Sequence, residues 1–186
     1  QVSGEIVFDQ VTFSYDDNVV LDRISFTVPA GSTLAIVGRV GSGKTTLGRL
    51  VPRMIEPQSG EIRIDGLPLR FWPLDLLRSC IGFVPQDSFL FSDTIRENIA
   101  LGTDDEQERV ENAASISRLN QDLSDFSDGY ETVAGERGVT LSGGQKQRTA
   151  LARAVIREPT ILILDDAMSS VDTHTEEEIL GGLRQV

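Results

Sequence analysis

Residues 38–45 read GRVGSGKT, and the reading of this octet decides the fold. Glycines at 38, 41 and 43 let successive backbone N–H groups turn inward around phosphate oxygens, and a helix N-terminus behind them adds positive potential. Lys44 has the length and charge to reach β- and γ-phosphates, and the Thr45 hydroxyl is a hard donor for Mg²⁺. The candidate phosphate-holding stretch is Gly38, Arg39, Val40, Gly41, Ser42, Gly43, Lys44, Thr45 and Thr46. A glycine turn of no function is the bland alternative, and context argues against it. The apolar run STLAIV (32–37) predicts a strand immediately before, and the pattern from Lys44 onward predicts a helix immediately after.

Working outward, EIVFDQVTFSY (5–15) alternates as a half-buried strand with Val11, Phe13 and Tyr15 on one face. RISFTV (23–28) predicts a second strand, separated from 32–37 by the Pro29-Ala30-Gly31 turn. EIRIDG (61–66) and IGFVP (81–85) are strand-like, the latter closed by Pro85. From about 94 to 157 the pattern turns helical, with acids at Asp104, Asp105, Glu106, Glu108 and Glu111. After Pro159 a buried strand is predicted at 161–164 and a last helix from about 173. These elements predict an α/β fold: a phosphate-loop core, an antiparallel β lobe in front and a helical insertion.

The chain has 186 residues, 39% apolar and 25% charged, enough for one compact domain in two lobes. Its net charge of -12 and the lack of a basic stripe argue against a nucleic-acid partner. One cysteine, Cys80, excludes an intramolecular disulfide and reads as a buried small hydrophobe. No run approaches the roughly 20 apolar residues of a membrane span, and no signal peptide is visible. The chain reads as a segment of something longer.

Two further stretches carry chemistry. LILDD (162–166) runs a greasy strand into two acids, Asp165 and Asp166, an arrangement that holds a metal beside a phosphate. LSGGQ (141–145) contains an S-x-x-Q capping box formed by Ser142 and Gln145. Yet its two glycines, Gly143 and Gly144, would each cost a first helical turn about 1 kcal/mol relative to alanine. They make sense if something must approach that backbone closely, such as a γ-phosphate.

With these motifs in this order, the sequence resembles the ATP-binding cassette (ABC) family, specifically the nucleotide-binding domain of exporter-type transporters. The resemblance covers nearly the whole chain and implies ATP and Mg²⁺ as ligands. It implies a RecA-like P-loop core at 32–60, 71–86 and 158–186, a mainly β lobe at 1–31 and 61–70, and a helical subdomain at 87–157. It places Tyr15 where the family stacks an aromatic ring on adenine, and Gln86 at the glutamine that touches Mg²⁺ and the attacking water. Asp165 and Thr45 join Gln86 around Mg²⁺; Asp166, Gln86 and Lys44 form the catalytic set. Ser142, Gly143, Gly144 and Gln145 would address the nucleotide of a second, head-to-tail domain, identical or not. Phe89–Ile99 and Gly135–Gly138 look like exporter-specific elements that feel the membrane domains, at the cytoplasmic face of a membrane. Ser169–Asp172 looks like the loop joining two active sites, though Asp172 or Thr173 reads equally as a helix N-cap.

Two departures qualify what the resemblance implies. The family's hydrolytic members usually carry Glu where this chain has Asp166. Basicity is nearly the same, with ordinary pKa values of about 3.9 and 4.3, but the carboxylate is withdrawn by about 1 Å and misplacement of that size can cost about a hundredfold in rate. The resemblance therefore implies slow hydrolysis at this site, as in the weakened site of an asymmetric pair. His174, the only histidine, follows Asp172 too closely to be the family's switch histidine and reads as an exposed helix-start residue. Other readings are a non-hydrolytic ATP clamp and a soluble cassette ATPase of DNA repair or chromosome structure. The last would need a long coiled coil between residues 51 and 140, where no heptad run occurs.

Overall fold

The computed structural model describes residues 2–103, 106–135 and 140–184. The chain divides into two compact units, residues 1–81 and 82–186. The first is built on a four-stranded antiparallel sheet in the order β2-β1-β3-β4. Its strands are β1 (Ile6–Tyr15), β2 (Asn18–Val28), β3 (Ser59–Ile64) and β4 (Leu67–Pro68). β1 pairs with β2 from Ile6↔Val28 to Tyr15↔Asn18, so the pair turns over Asp16-Asp17. Asp16 takes the left-handed conformation (φ 49°) that a tight hairpin needs and that Asp tolerates.

The alternation expected for β1 runs through Val11 and Phe13 and is interrupted by a register shift at Asp9-Gln10, both exposed. Phe8, Val11 and Phe13 are buried, and Phe8 stacks on Phe26 of β2 with ring centroids 4.6 Å apart. Behind the sheet edge, α1 (Lys44–Leu50) buries Thr46 and Leu50, and the short α2 (Leu74–Ser79) buries Leu77. Cys80 at the end of α2 is half-buried, not fully buried as its apolar neighbours imply, because Ser79 and Arg78 beside it face solvent.

The strand expected at 32–37 does not form. No ladder is described for these residues, and Leu34, Ile36 and Val37 stand exposed. Strand propensity is realised only against a partner backbone, and none of the described strands pairs with this one.

Among the described residues, β5 (Ile81–Val84) pairs with β6 (Ile161–Leu164), and the second unit carries five α-helices. These are α3 (Ile95–Ala100), α4 (Gln107–Ile116), α5 (Asn120–Leu123), α6 (Gly143–Val155) and α7 (Thr173–Leu183). Two cores meet on α6. One face, with Ala152 and Ile156 beyond its end, packs among Ile95, Ile99, Val110 and Leu119. The other, with Leu151 and Val155, packs on Val84, Ala167 and Ile179. The helix is thus gripped along its length, which fixes where its N-terminus can sit. Asp172 caps α7 by accepting the Thr175 N–H at 3.0 Å, so the capping reading of Asp172 is realised and that of Thr173 is not.

Candidate functional site

The phosphate loop lies in the first unit. Gly43 caps α1 in a left-handed conformation (φ 90°), which a side chain rarely adopts. A Cβ there would also lie 3.0 Å from Val20 and Leu21 of β2. The start of α1 is therefore seated on β2, close to the Tyr15↔Asn18 pair that ends the ladder. Tyr15 is 44% exposed, and its ring meets that of Phe13 at 83° with centroids 4.8 Å apart. A Cβ on Gly38 would fall 2.6 Å from the Ser42 hydroxyl, which would have to turn away.

Lys44 folds back over the loop, its Nζ donating to the carbonyls of Gly38 (2.8 Å) and Arg39 (3.0 Å). The ammonium is thus pinned at the mouth of the loop rather than swinging in solvent. Phosphate oxygens are stronger acceptors than these carbonyls and would take the same donor. Arg39, Val40, Gly41 and Ser42 are exposed, and Thr45 and Thr46 are more covered as they enter α1.

The acidic pair lies in the second unit. β6 pairs with β5, and the Asp165 N–H continues the pairing by donating to the Val84 carbonyl at 2.9 Å. This register carries Gln86, two residues beyond Val84, to the aspartates. Gln86 Nε2 donates to Asp166 Oδ2 at 3.4 Å. The contact fixes the amide so that its carbonyl oxygen, the end a cation takes, is the end not used on Asp166. Asp166 sits at φ 52°, a left-handed conformation uncommon outside glycine but better tolerated by Asp than by larger residues. That conformation turns the chain sharply out of β6, and the Ser169 N–H closes the turn on the Asp166 carbonyl at 3.3 Å.

Among the described residues, no group of three or more His, Cys, Asp or Glu gathers to hold a metal. Mg²⁺ is ordinarily held through one or two carboxylates plus substrate phosphates and water rather than by an all-protein cage. The Asp165 carboxylate and the Gln86 carbonyl of the second unit, like the Thr45 hydroxyl of the first, are each hard oxygen donors.

The third part of the candidate site is the start of α6. The capping box is complete: Ser142 Oγ accepts the Gln145 N–H at 3.2 Å, and Gln145 Oε1 accepts the Ser142 N–H at 2.9 Å. The close approach expected at the double glycine is made in part by the chain itself. A Cβ on Gly143 would lie 3.0 Å from Ser170 Oγ, and one on Gly144 2.9 Å from the Ser170 carbonyl. Arg148, one turn on, forms a forked ion pair with Asp122 (2.6 Å) and anchors the other side of the helix start.

Sequence reading missed Gln147, Arg148 and Asp122. Gln147 shares a stripe with the two glycines at helical spacing, a signal present in the sequence, but its partners at 169–170 are visible only in three dimensions. Of the segment 135–138, only Gly135 falls within the described residues; Glu136, Arg137 and Gly138 lie outside them, as do Asp104 and Asp105.

Comparison with known proteins bears on this geometry. The family model for ABC transporters matches residues 21–169. The chain is 44% identical to an ATP-dependent lipid A-core flippase of Burkholderia pseudomallei, over 98% of this chain and 31% of that protein. It is also 44% identical to a mitochondrial iron-sulfur clusters transporter, ATM1, of Chaetomium globosum, over 98% of this chain and 31% of that protein. A solved structure of a bacterial Atm1-family ABC exporter with ATP bound superposes with a TM-score of 0.93 at 45% identity, covering 99% of this chain and 33% of that one. The chain thus spans about a third of the length of these relatives.

Proposed function

The chain belongs to the ABC transporter family, and from that premise we propose that it is the nucleotide-binding domain of an exporter, acting with a second such domain at the cytoplasmic face of a membrane. No described helix is long and apolar enough to cross a membrane, so transport would fall to attached membrane domains. Lys44 and the loop amides of 38–46 hold the phosphates, Tyr15 offers a ring to adenine, and Thr45, Gln86 and Asp165 provide for Mg²⁺. Bound Mg²⁺ would neutralise charge on the phosphate oxygens. Asp166 orients the attacking water, and Ser142, Gly143, Gly144 and Gln145 complete the site of the second domain. Closure of the two domains around ATP moves the membrane domains, and hydrolysis resets them.

The observation that supports this reading best is the start of α6. Ser142 and Gln145 form a full capping box, yet its first two residues are glycines, and the exposed Gly143 presents backbone without a side chain at a helix N-terminus, where an anion binds best. A DNA-repair or chromosome ATPase fits poorly, because the helices described between 51 and 140 run to ten residues at most. A non-hydrolytic clamp draws on the short carboxylate of Asp166. The test is turnover by the full-length chain: phosphate release that requires ATP and is lost in Ser142→Ala or Gly143→Asp, with nucleotide binding to the isolated domain unchanged, supports the reading. Loss of nucleotide binding in those variants as isolated domains would refute the role across the dimer, and ATP binding with no release would favour the clamp.

A further inference from the structure

Gln147 is a buried polar residue in the second turn of α6, 6% exposed. Both ends of its amide reach the turn that follows the acidic pair. Nε2 donates to Ser169 Oγ at 2.9 Å, and Oε1 accepts the Ser170 N–H at 2.9 Å. Burying an amide is unfavourable unless both ends are satisfied. A leucine would fill the space without that demand, so packing alone does not call for glutamine. Gly143 and Gly144 lie on the same helical stripe, four and three residues back, and they press on Ser170 so closely that a Cβ on either would crowd it. The helix start and the turn therefore meet without slack and are tied by two hydrogen bonds.

The same turn is joined at its other end to the catalytic carboxylate. The Ser169 N–H donates to the Asp166 carbonyl at 3.3 Å, and the Asp166 side chain accepts from Gln86 at 3.4 Å. We infer that Gln147 is a positioning residue that ties the turn bearing Asp166 to the start of α6, so that the state of a subunit's own catalytic centre sets the geometry of the surface it offers to its partner's nucleotide. This rests on the proposed function. It adds a route within one subunit, from Gln86 through Asp166, Ser169 and Gln147 to the backbone of Gly143.

Three variants of the full-length chain test it. Gln147→Leu keeps the volume and removes both bonds. Gln147→Glu keeps both, since a carboxylate accepts from the Ser170 N–H and from the Ser169 hydroxyl turned around. In steady-state turnover, Gln147→Leu should lower kcat about tenfold, within the span of coupling factors between linked sites, with KM for Mg-ATP little changed, and Gln147→Glu should restore most of the rate. The second reading needs no turnover. Gln86→Ala should alter backbone hydrogen exchange at residues 143–146 in the parent and in Gln147→Glu, and leave it unaltered in Gln147→Leu. A Gln147→Glu rate as low as that of Gln147→Leu, or an equal exchange response in all three backgrounds, would overturn the inference. A chain that never hydrolyses ATP would sink the hydrolase reading while leaving the exchange comparison fully decisive.

Discussion

Asp65 shows how much one side chain can hold. Its carboxylate accepts the N–H groups of Ser3 (2.7 Å), Gly4 (3.0 Å) and Glu5 (3.0 Å), fastening the chain just ahead of β1. Partial burial pushes its pKa up, but these three bonds outweigh it and leave the group below its ordinary value of 3.8. A depressed carboxylate contributes stability that is complete above the unfolded-state pKa and disappears as pH falls through the folded one. Asp65→Asn should therefore lower the denaturation midpoint in urea at pH 7, and the gap to the parent should narrow below about pH 4. A gap of constant size down to pH 2 would mean that the charge plays no part. Lys44 is the other residue whose role can be isolated. Its ammonium already rests on the Gly38 and Arg39 carbonyls, so binding exchanges those contacts for phosphate oxygens without ordering a free side chain. Lys44→Ala should weaken Mg-ATP by tenfold or more, at least about 1.4 kcal/mol, while hardly affecting adenosine. Calorimetric titration of the two proteins decides it, and equal affinities would remove Lys44 from the phosphate site.

At the level of the element, α6 and α7 offer a matched pair of glycines. Glycine to alanine inside a helix ordinarily gains up to about 1 kcal/mol. A methyl group on Gly181 of α7 would meet nothing within 4 Å, and Gly181→Ala should show that gain. A methyl group on Gly144 of α6 would lie 2.9 Å from the Ser170 carbonyl, and Gly144→Ala should lose roughly 1–3 kcal/mol through overpacking. Equilibrium denaturation of both variants measures the difference; a stabilised Gly144→Ala would mean the turn at 169–170 yields easily, and the coupling through Gln147 with it. Local patterns were readable wherever an element's own residues decide it. The capping box before α6 and the greasy run of β6 lie where the sequence puts them, and the alternation of β1 does so except at the register shift between Phe8 and Val11. The run 32–37 has the same apolar character and forms no strand, because a strand also needs a neighbour and no described strand pairs with it. The sequence likewise could not place Ser170 against the double glycine, since a contact between residues so far apart in the chain leaves no local mark. The glycines announced a close approach, and the structure names one of the groups that makes it.

At the scale of the whole molecule, the phosphate loop belongs to residues 1–81, and the acidic pair and the α6 start belong to residues 82–186. We propose that hydrolysis by this ABC domain is limited by the reach of one carboxylate, that of Asp166. Asp166 leaves β6 at φ 52° and accepts a hydrogen bond from Gln86 at 3.4 Å, and the length of its side chain is the variable tested. Lengthening it by one methylene restores about 1 Å of reach, a displacement that can be worth about a hundredfold in rate. The decisive measurement is single-turnover phosphate release from the full-length transporter, with the partner domain's own site disabled by mutation. Asp166→Glu should release phosphate faster than the parent by tenfold or more, about 1.4 kcal/mol of barrier, and Asp166→Asn should abolish most of what the parent shows. No gain from Asp166→Glu would contradict the account.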